Sequence, residues 1–143
     1  MRFAKGYLLI IGVLFYIPFG VLFLIDPAAM FAKMGILFGS DMALEEVRAS
    51  HGGVWLITGL FCVVSVWQQQ WLRYVLVYLL LFNAGFAIGR VVSLVEAVVP
   101  AMQLVPLFGF DLILVLVSAV LLSRADLPEL NSGRVASNEP IDA

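Results

Sequence analysis

The sequence predicts an all-α fold: a four-transmembrane-helix bundle with a short interfacial helix in the first outer loop. Three observations support this prediction. Hydrophobic residues make up 63% of the 143 residues, whereas soluble domains carry roughly 45–50%. Charged residues make up only 13%, which is about half the usual share. The apolar residues fall into four segments, each near the ~20 residues that span a bilayer core, at about residues 6–25, 48–67, 72–95 and 104–123.

The first segment is predicted to be a retained membrane span. Arg2 and Lys5 precede it, as basic residues precede a signal peptide, but its apolar run is longer than the roughly 7–15 residues of a signal peptide. Pro18 lies within this run. Proline lacks an N–H and crowds the preceding turn, so we expect the helix to bend there.

Two segments outside the spans differ in character. Residues 26–47 open on Asp26-Pro27, which is a helix-start signal. They predict a short helix lying on the outer membrane surface. Residues 124–143 are polar and contain Pro, Gly, Ser and Asn, which predicts a disordered cytoplasmic tail. The domain organisation is therefore a membrane domain over residues 1–123, followed by the tail.

The positive residues predict the topology. Lys and Arg are enriched in the cytoplasmic loops of membrane proteins. The loops 26–47 and 96–103 carry few or none, so both should face outward and both termini should be cytoplasmic. The basic residues that flank the spans on the opposite side are Arg2, Lys5, Arg73, Arg124 and Arg134.

Several function classes are excluded by what the chain lacks. The net charge is −2 and there is no basic run, so nucleic acid binding is not expected. Cys62 and His51 are the only cysteine and histidine, and together they cannot supply the usual four zinc ligands. The sequence has no second haem ligand and no Gly-rich phosphate loop. No metal or other cofactor is therefore predicted.

The ionisable residues of the spans converge on one depth. Arg48 and His51 lie in the first turn of span two, Arg90 and Glu96 near the end of span three, and Asp111 two turns into span four. With the predicted topology, all five lie in the outer half of the bilayer. An isolated charge in a span costs about 2.5–3.5 kcal/mol or more. We therefore expect Arg90 or Arg48 to pair with Asp111 or Glu96 inside the bundle.

Helical spacing supports a shared polar cluster. Arg48 and His51 are three residues apart, and Asn83 and Arg90 are seven apart, so each pair shares a helix face. Small residues allow another helix to approach closely, and the candidates for such packing are Gly52, Gly53, Gly85 and Gly89. The full candidate cluster comprises Arg48, His51, Arg90, Asp111, Glu96, Asn83, Ser93 and Trp55.

The residues leave structural alternatives open. Arg48 could reach the headgroups as an interfacial side chain, and His51 could be a buried histidine bonded to a carbonyl. Glu96 could belong to the loop, and Arg90 with Asp111 could form a purely structural ion pair.

Two functions fit this cluster. The first is binding of an amphiphile, such as a lipid headgroup, fatty acid or quinone, or of a partner helix from another membrane protein. The alternative is a small membrane enzyme, an isomerase or redox accessory, with a lipid-soluble substrate. His51 and Asp111 would then transfer protons. A transporter ranks last, because four spans enclose little volume and a conducting path would need several copies of the chain. The sequence leaves the oligomeric state open.

The pattern R-x-x-H-G-G at 48–53, followed by G-R-x-x-S at 89–93 and an acidic residue in the last span, resembles a bacterial four-span family of unknown function. The resemblance covers about residues 5–123. It implies a multi-pass protein of the bacterial inner membrane, with an architecture similar to the DoxX-like proteins. Family members often carry Tyr where His51 stands, which implies a polar ring lining the site at this position more than an obligatory catalyst.

Overall fold

The computed structural model describes residues 2–96 and 101–136, with side chains described over 2–96 and 104–124. Every element in these ranges is helical or a turn. The chain divides into an N-terminal unit, Met1–Leu72, and a C-terminal unit, Arg73–Ala143.

The first span of the N-terminal unit is helical from Arg2 to Ile25. It consists of α1 (Arg2–Ile11), a π-helical turn (Gly12–Tyr16) and α2 (Ile17–Ile25). The π turn is closed by the N–H of Ile17, which donates to the carbonyl of Gly12, five residues earlier. Pro18 follows directly and falls in the first turn of α2, where its missing N–H is tolerated. A π turn thus lies just before Pro18, and the bend expected at Pro18 stays a prediction.

The loop after the first span contains α3 (Pro27–Ala32). Asp26 caps its start, because its Oδ1 accepts the N–H of Ala29 at 2.9 Å. Gly35 ends it with a φ of 75°, which glycine adopts without strain. The N–H of Ile36 donates to Phe31 O at 3.0 Å, and the N–H of Gly35 donates to Ala32 O at 3.0 Å. These two bonds form a Schellman motif that turns the chain back along α3.

The second span runs from Asp41 to Trp67. It consists of α4 (Asp41–Val47), a second π turn (Arg48–Gly53) and α5 (Val54–Trp67). The helix begins seven residues before the predicted boundary at 48. The reason is local: Ser40 Oγ accepts the N–H of Ala43 at 3.2 Å and therefore caps the helix start.

Glycines bring the first two spans into close contact. A methyl group on Gly20 would lie 2.5 Å from the backbone nitrogen of Leu56, and one on Gly59 would lie 2.8 Å from that of Ile17. A methyl group on Gly12 would lie 2.9 Å from Cys62 Cβ. Because no larger residue fits at these positions, the two backbones approach one another along most of their length.

The C-terminal unit contains α6 (Leu72–Val95), entered through a 3₁₀ turn (Gln69–Trp71), and α7 (Ala101–Ala136). The buried residues of α6 recur every three or four positions, as expected for one helix face, and include Val75, Leu76, Leu79 and Asn83. Among the described side chains of α7, over 104–124, the buried residues are Leu104, Asp111, Leu114 and Ser118.

The all-α, four-span prediction is confirmed. Four helices are long and apolar enough to cross a membrane: Arg2–Ile25, Asp41–Trp67, Gln69–Val95 and Leu104–Arg124. A short helix in the 26–47 loop is also present as α3, although its position on a membrane surface stays a prediction. The predicted disordered tail, 124–143, falls partly on the end of α7 and partly outside the described residues, and it too stays a prediction.

Candidate functional site

The R-x-x-H-G-G stretch forms the π turn of the second span. The N–H of Val54 donates to Ala49 O, five residues earlier rather than four. A π turn inserts one extra residue into an α-helix and so changes the direction of the side chains around it; such turns are frequent at functional sites. Arg48 and His51 therefore lie in the one irregular turn of this span.

Arg48 forms a hydrogen bond from the second span to the end of the first. Its Nε donates to Leu24 O at 3.2 Å, and Leu24 is one residue from the end of α2. The last carbonyls of a helix have no partner within the helix, so this bond caps α2. The Nη1 of Arg48 forms an ion pair with Glu45. The sequence left open whether Arg48 reaches the lipid headgroups or pairs within the protein. In the structure its guanidinium bonds to Leu24 O and to Glu45, both in the N-terminal unit.

Gly52, one helical turn after Arg48, also packs against Leu24. A methyl group added to Gly52 would lie 2.8 Å from Leu24 Cγ and 3.0 Å from its backbone nitrogen. Gly52 is buried. Its lack of a side chain therefore lets the π turn rest directly against α2, while Arg48 closes the end of that helix.

His51 is held by a short chain of hydrogen bonds. Ser50 Oγ donates its only proton to Glu46 O at 2.8 Å. The contact of 3.0 Å between Ser50 Oγ and His51 Nδ1 must therefore have the histidine as donor. This assigns a hydrogen to Nδ1 and fixes the orientation of the imidazole.

The other side of His51 meets three aromatic rings. The ring centroid of His51 lies 5.4 Å from Phe23, 5.2 Å from Phe31 and 5.6 Å from Trp55. Centroid separations of about 4.5–7 Å are favourable for aromatic pairs. We call Phe23, His51, Trp55 and Phe31 the ring cluster. Phe23 comes from the first span, Phe31 from α3, and the other two from the second span, so the cluster joins three elements of the N-terminal unit.

A groove of 720 Å³ lies beside the ring cluster, and we call it the loop groove. One wall is α3 and the other is the chain that returns from Gly35. Phe38 connects the groove to the cluster, because it lines the groove and its ring lies 5.5 Å from Phe31. The groove is lined by Asp26, Ala28, Ala29, Ala32, Ile36, Leu37, Phe38, Gly39, Ser40, Asp41 and Leu44.

The C-terminal unit contains the second polar site. Arg90 Nε donates to Asp111 Oδ2 at 2.5 Å. Asp111 is buried and Arg90 is half-buried. The ion pair expected between these residues from the cost of isolated charges is therefore present; whether it also has a function stays a prediction.

The remaining candidates of the C-terminal unit are engaged locally or exposed. Asn83 is buried and donates from Nδ2 to Leu79 O at 2.7 Å. Ser93 Oγ donates to Gly89 O at 3.1 Å. Glu96 is exposed just beyond the end of α6. The structure therefore brings Asp111, rather than Glu96, to Arg90.

The glycines singled out in the sequence differ from one another. Gly52 is a close-packing position, as expected. A methyl group on Gly53, Gly85 or Gly89 would meet no other atom within 4 Å in the part of the chain that the structure describes. Helix packing at these three positions stays a prediction.

Sequence reasoning missed the aromatic and loop residues of the N-terminal unit. Phe23 and Phe31 look like ordinary apolar residues in the sequence, and only the pairing of the first two spans brings them to His51. A signal existed for the groove, since Asp26-Pro27 and Ser40-Asp41 are both helix-start patterns. Two helix starts so close together require the first helix to end between them, and the return of the chain at Gly35 then forms the groove.

Four membrane-length helices define the class: this is a multi-pass membrane protein. Residues 4–122 match the family described as Domain of unknown function (DUF4345). The chain belongs to that family. No curated protein and no solved structure matches it.

Proposed function

We propose that this protein binds an amphiphile at the end of the N-terminal unit where the loop groove meets the ring cluster. One observation carries the proposal: Phe38 lines the open groove and contacts Phe31, which contacts His51, so aromatic rings lie directly behind the groove wall. A groove with carboxylates in its lining and aromatic rings behind its wall suits a molecule with a headgroup and a tail. The groove volume of 720 Å³ falls within the roughly 300–1,000 Å³ of ligand pockets.

The lining of the groove indicates the chemistry of the headgroup. Asp41 Oδ atoms make no hydrogen bond or ion pair within the described chain, and Asp26 uses one carboxylate oxygen for its cap. The groove thus presents acceptors and negative charge. The positive charge of Arg48 is already engaged by Leu24 O and Glu45. A headgroup that donates hydrogen bonds, above all an amine, is therefore favoured over a carboxylate or phosphate.

The aromatic rings support the same assignment. Ammonium groups are attracted to the faces of aromatic rings, and Phe38 lines the groove together with Asp26 and Asp41 and contacts Phe31. The half-buried rings of the cluster would also contact the first part of an acyl tail. The enzyme alternative receives no such support, because Asp111 is engaged by Arg90.

Photolabelling tests the proposal directly. The purified protein in detergent is labelled with a photoactivatable long-chain amine and, in parallel, with the matching long-chain carboxylic acid. We expect the amine to label residues 36–44 more strongly than the acid. Equal labelling by the two probes, or labelling spread evenly over the spans, would contradict the headgroup assignment.

Two variants with matched controls locate the site. Asp41→Asn should reduce labelling by the amine roughly two- to fivefold, the range expected for an exposed charge pair. Glu46→Gln removes an exposed carboxylate outside the groove and should leave labelling unchanged. Phe38→Ala should reduce labelling by both probes, whereas Met34→Ala, at an exposed position outside the groove, should not. Capture of another membrane protein instead of the probe would favour a partner helix.

A further inference from the structure

We propose that Arg90 holds the phosphate of a membrane phospholipid, at a site in the C-terminal unit that is separate from the loop groove. The proposal starts from the donors of one side chain. A guanidinium carries five N–H groups, and the structure gives Arg90 a single bond, from Nε to Asp111 Oδ2 at 2.5 Å. The four N–H groups on its two terminal nitrogens have no acceptor in the described chain.

These four donors are not buried in the protein. The Arg90 side chain is 24% exposed, against 7% for Asp111. No buried polar side-chain atom lacks a partner among the described residues, so the terminal nitrogens of Arg90 lie at the surface. Unmet donors are costly in hydrocarbon. Their acceptors therefore come from outside the described chain.

The depth of Arg90 matches a lipid headgroup. It lies five positions before Val95, where α6 ends, which at ~1.5 Å per residue is roughly 7–8 Å of helix. An arginine side chain can extend this far toward the interface. The phosphate of a lipid in the same leaflet is therefore within reach of the terminal nitrogens.

The geometry of the pair favours phosphate. Asp111 occupies only the Nε position, so the two terminal nitrogens remain as a fork. Such a fork binds two oxygens of a phosphate or carboxylate at once. A phosphate diester supplies two such oxygens and is present at the required depth in every phospholipid leaflet. Asp111 keeps the guanidinium oriented while the fork binds the lipid.

The first test uses the wild-type protein alone. Phosphatidylglycerol, phosphatidylcholine and a diacylglycerol with the same acyl chains are titrated into delipidated protein in detergent, and bound lipid is counted by native mass spectrometry. We expect both phospholipids to bind and the diacylglycerol, which lacks the phosphate, to bind roughly ten- to a hundredfold more weakly. Equal binding of the three lipids would overturn the proposal.

The second test replaces the guanidinium of Arg90 by an ammonium group, which keeps the positive charge but removes the paired N–H donors. Arg90→Lys retains a cation beside Asp111 but cannot bind two oxygens side by side, and it should weaken phospholipid binding roughly tenfold or more. Arg124→Lys makes the same change at an exposed arginine at the end of the last span and should leave binding unchanged. Equal phospholipid binding by the wild type and Arg90→Lys would refute the assignment.

Two further outcomes identify other sources of the anion. Binding of inorganic phosphate that Arg90→Lys abolishes, with no phospholipid bound, would show a free-anion site and overturn the lipid assignment. A membrane protein retained only by the wild type would show a carboxylate of a partner helix and overturn it as well. Since Arg90 does not line the loop groove, the amine photolabelling described above should be unaffected by Arg90→Lys. Failure of either proposal is thus separable from failure of the other.

Discussion

Arg48 shows how one side chain can complete the hydrogen bonding of a distant helix. Its Nε bond to Leu24 O supplies a donor to a carbonyl at the end of the first span. In hydrocarbon no water is present to do the same. The arginine that looked like a ligand-binding residue in the sequence is therefore first a structural residue.

We predict that Arg48→Met destabilises the protein by about 1.5–3 kcal/mol. This is the range for hydrogen bonds that involve a charged group. Methionine preserves much of the apolar stem but leaves Leu24 O and the Glu45 carboxylate without their donor. Unfolding by guanidinium in mild detergent, followed by circular dichroism, would measure the change. Arg124→Met, at an exposed position, is the control; similar unfolding midpoints for the two variants would contradict the prediction.

The sequence could not reveal the backbone partner of Arg48. The cost of an isolated charge predicts that an arginine in a span needs an acceptor, and the pair Arg90–Asp111, one of the pairings left open by that argument, is present. Arg48 pairs instead with Glu45 and with a backbone carbonyl 24 residues earlier. Every residue has such a carbonyl, so no residue type marks the one that is used.

At the scale of the elements, the ends of the first three spans followed from hydropathy, whereas their starts and the irregular turns did not. The predicted ends at 25, 67 and 95 coincide with the helix ends at Ile25, Trp67 and Val95, but the second span begins seven residues before its predicted start. Neither π turn was predicted. A π turn changes the hydrogen-bond partner of a few residues without changing their hydrophobicity, so the composition of the segment carries no trace of it.

Glycine contacts hold the first helix pair together, and they give a second prediction. Gly20→Ala should destabilise the protein by roughly 1–3 kcal/mol, the usual cost of overpacking, because the new methyl group would lie 2.5 Å from the backbone of Leu56. Backbone cannot move aside as a flexible side chain can.

Gly85→Ala is the matched control for that prediction. Both glycines lie within membrane helices, but a methyl group on Gly85 meets no other atom within 4 Å in the described chain. The helix propensity of alanine should then make Gly85→Ala neutral or slightly stabilising. The measurement is again chemical unfolding in detergent. A loss of stability at Gly85 as large as at Gly20 would indicate that another chain packs against α6.

At the scale of the whole molecule, the positive residues predict the orientation of the spans. Thiol labelling can test it, because the only native cysteine, Cys62, is buried. In a Cys62→Ser background, Gly39→Cys should react with a membrane-impermeant maleimide added to intact cells. Gln70→Cys, in the turn before α6, should react only after the membrane is opened.

Both substituted positions are exposed in the folded chain, so accessibility is decided by the membrane and not by packing. The reverse labelling pattern would show that the termini face outward. Labelling of both positions in intact cells would contradict the arrangement of the second span across the membrane.

The bond from Arg48 to Leu24 also has a consequence for how the protein is made. When the first span enters the membrane, the arginine that completes its final turn has not yet left the ribosome. That turn can be finished only when the following segment is inserted beside it, so the two must settle into the bilayer as a hairpin. A chain cut in the loop at residue 40 would therefore be left with a frayed helix end, and quality-control proteases should remove it faster than a chain cut at residue 68.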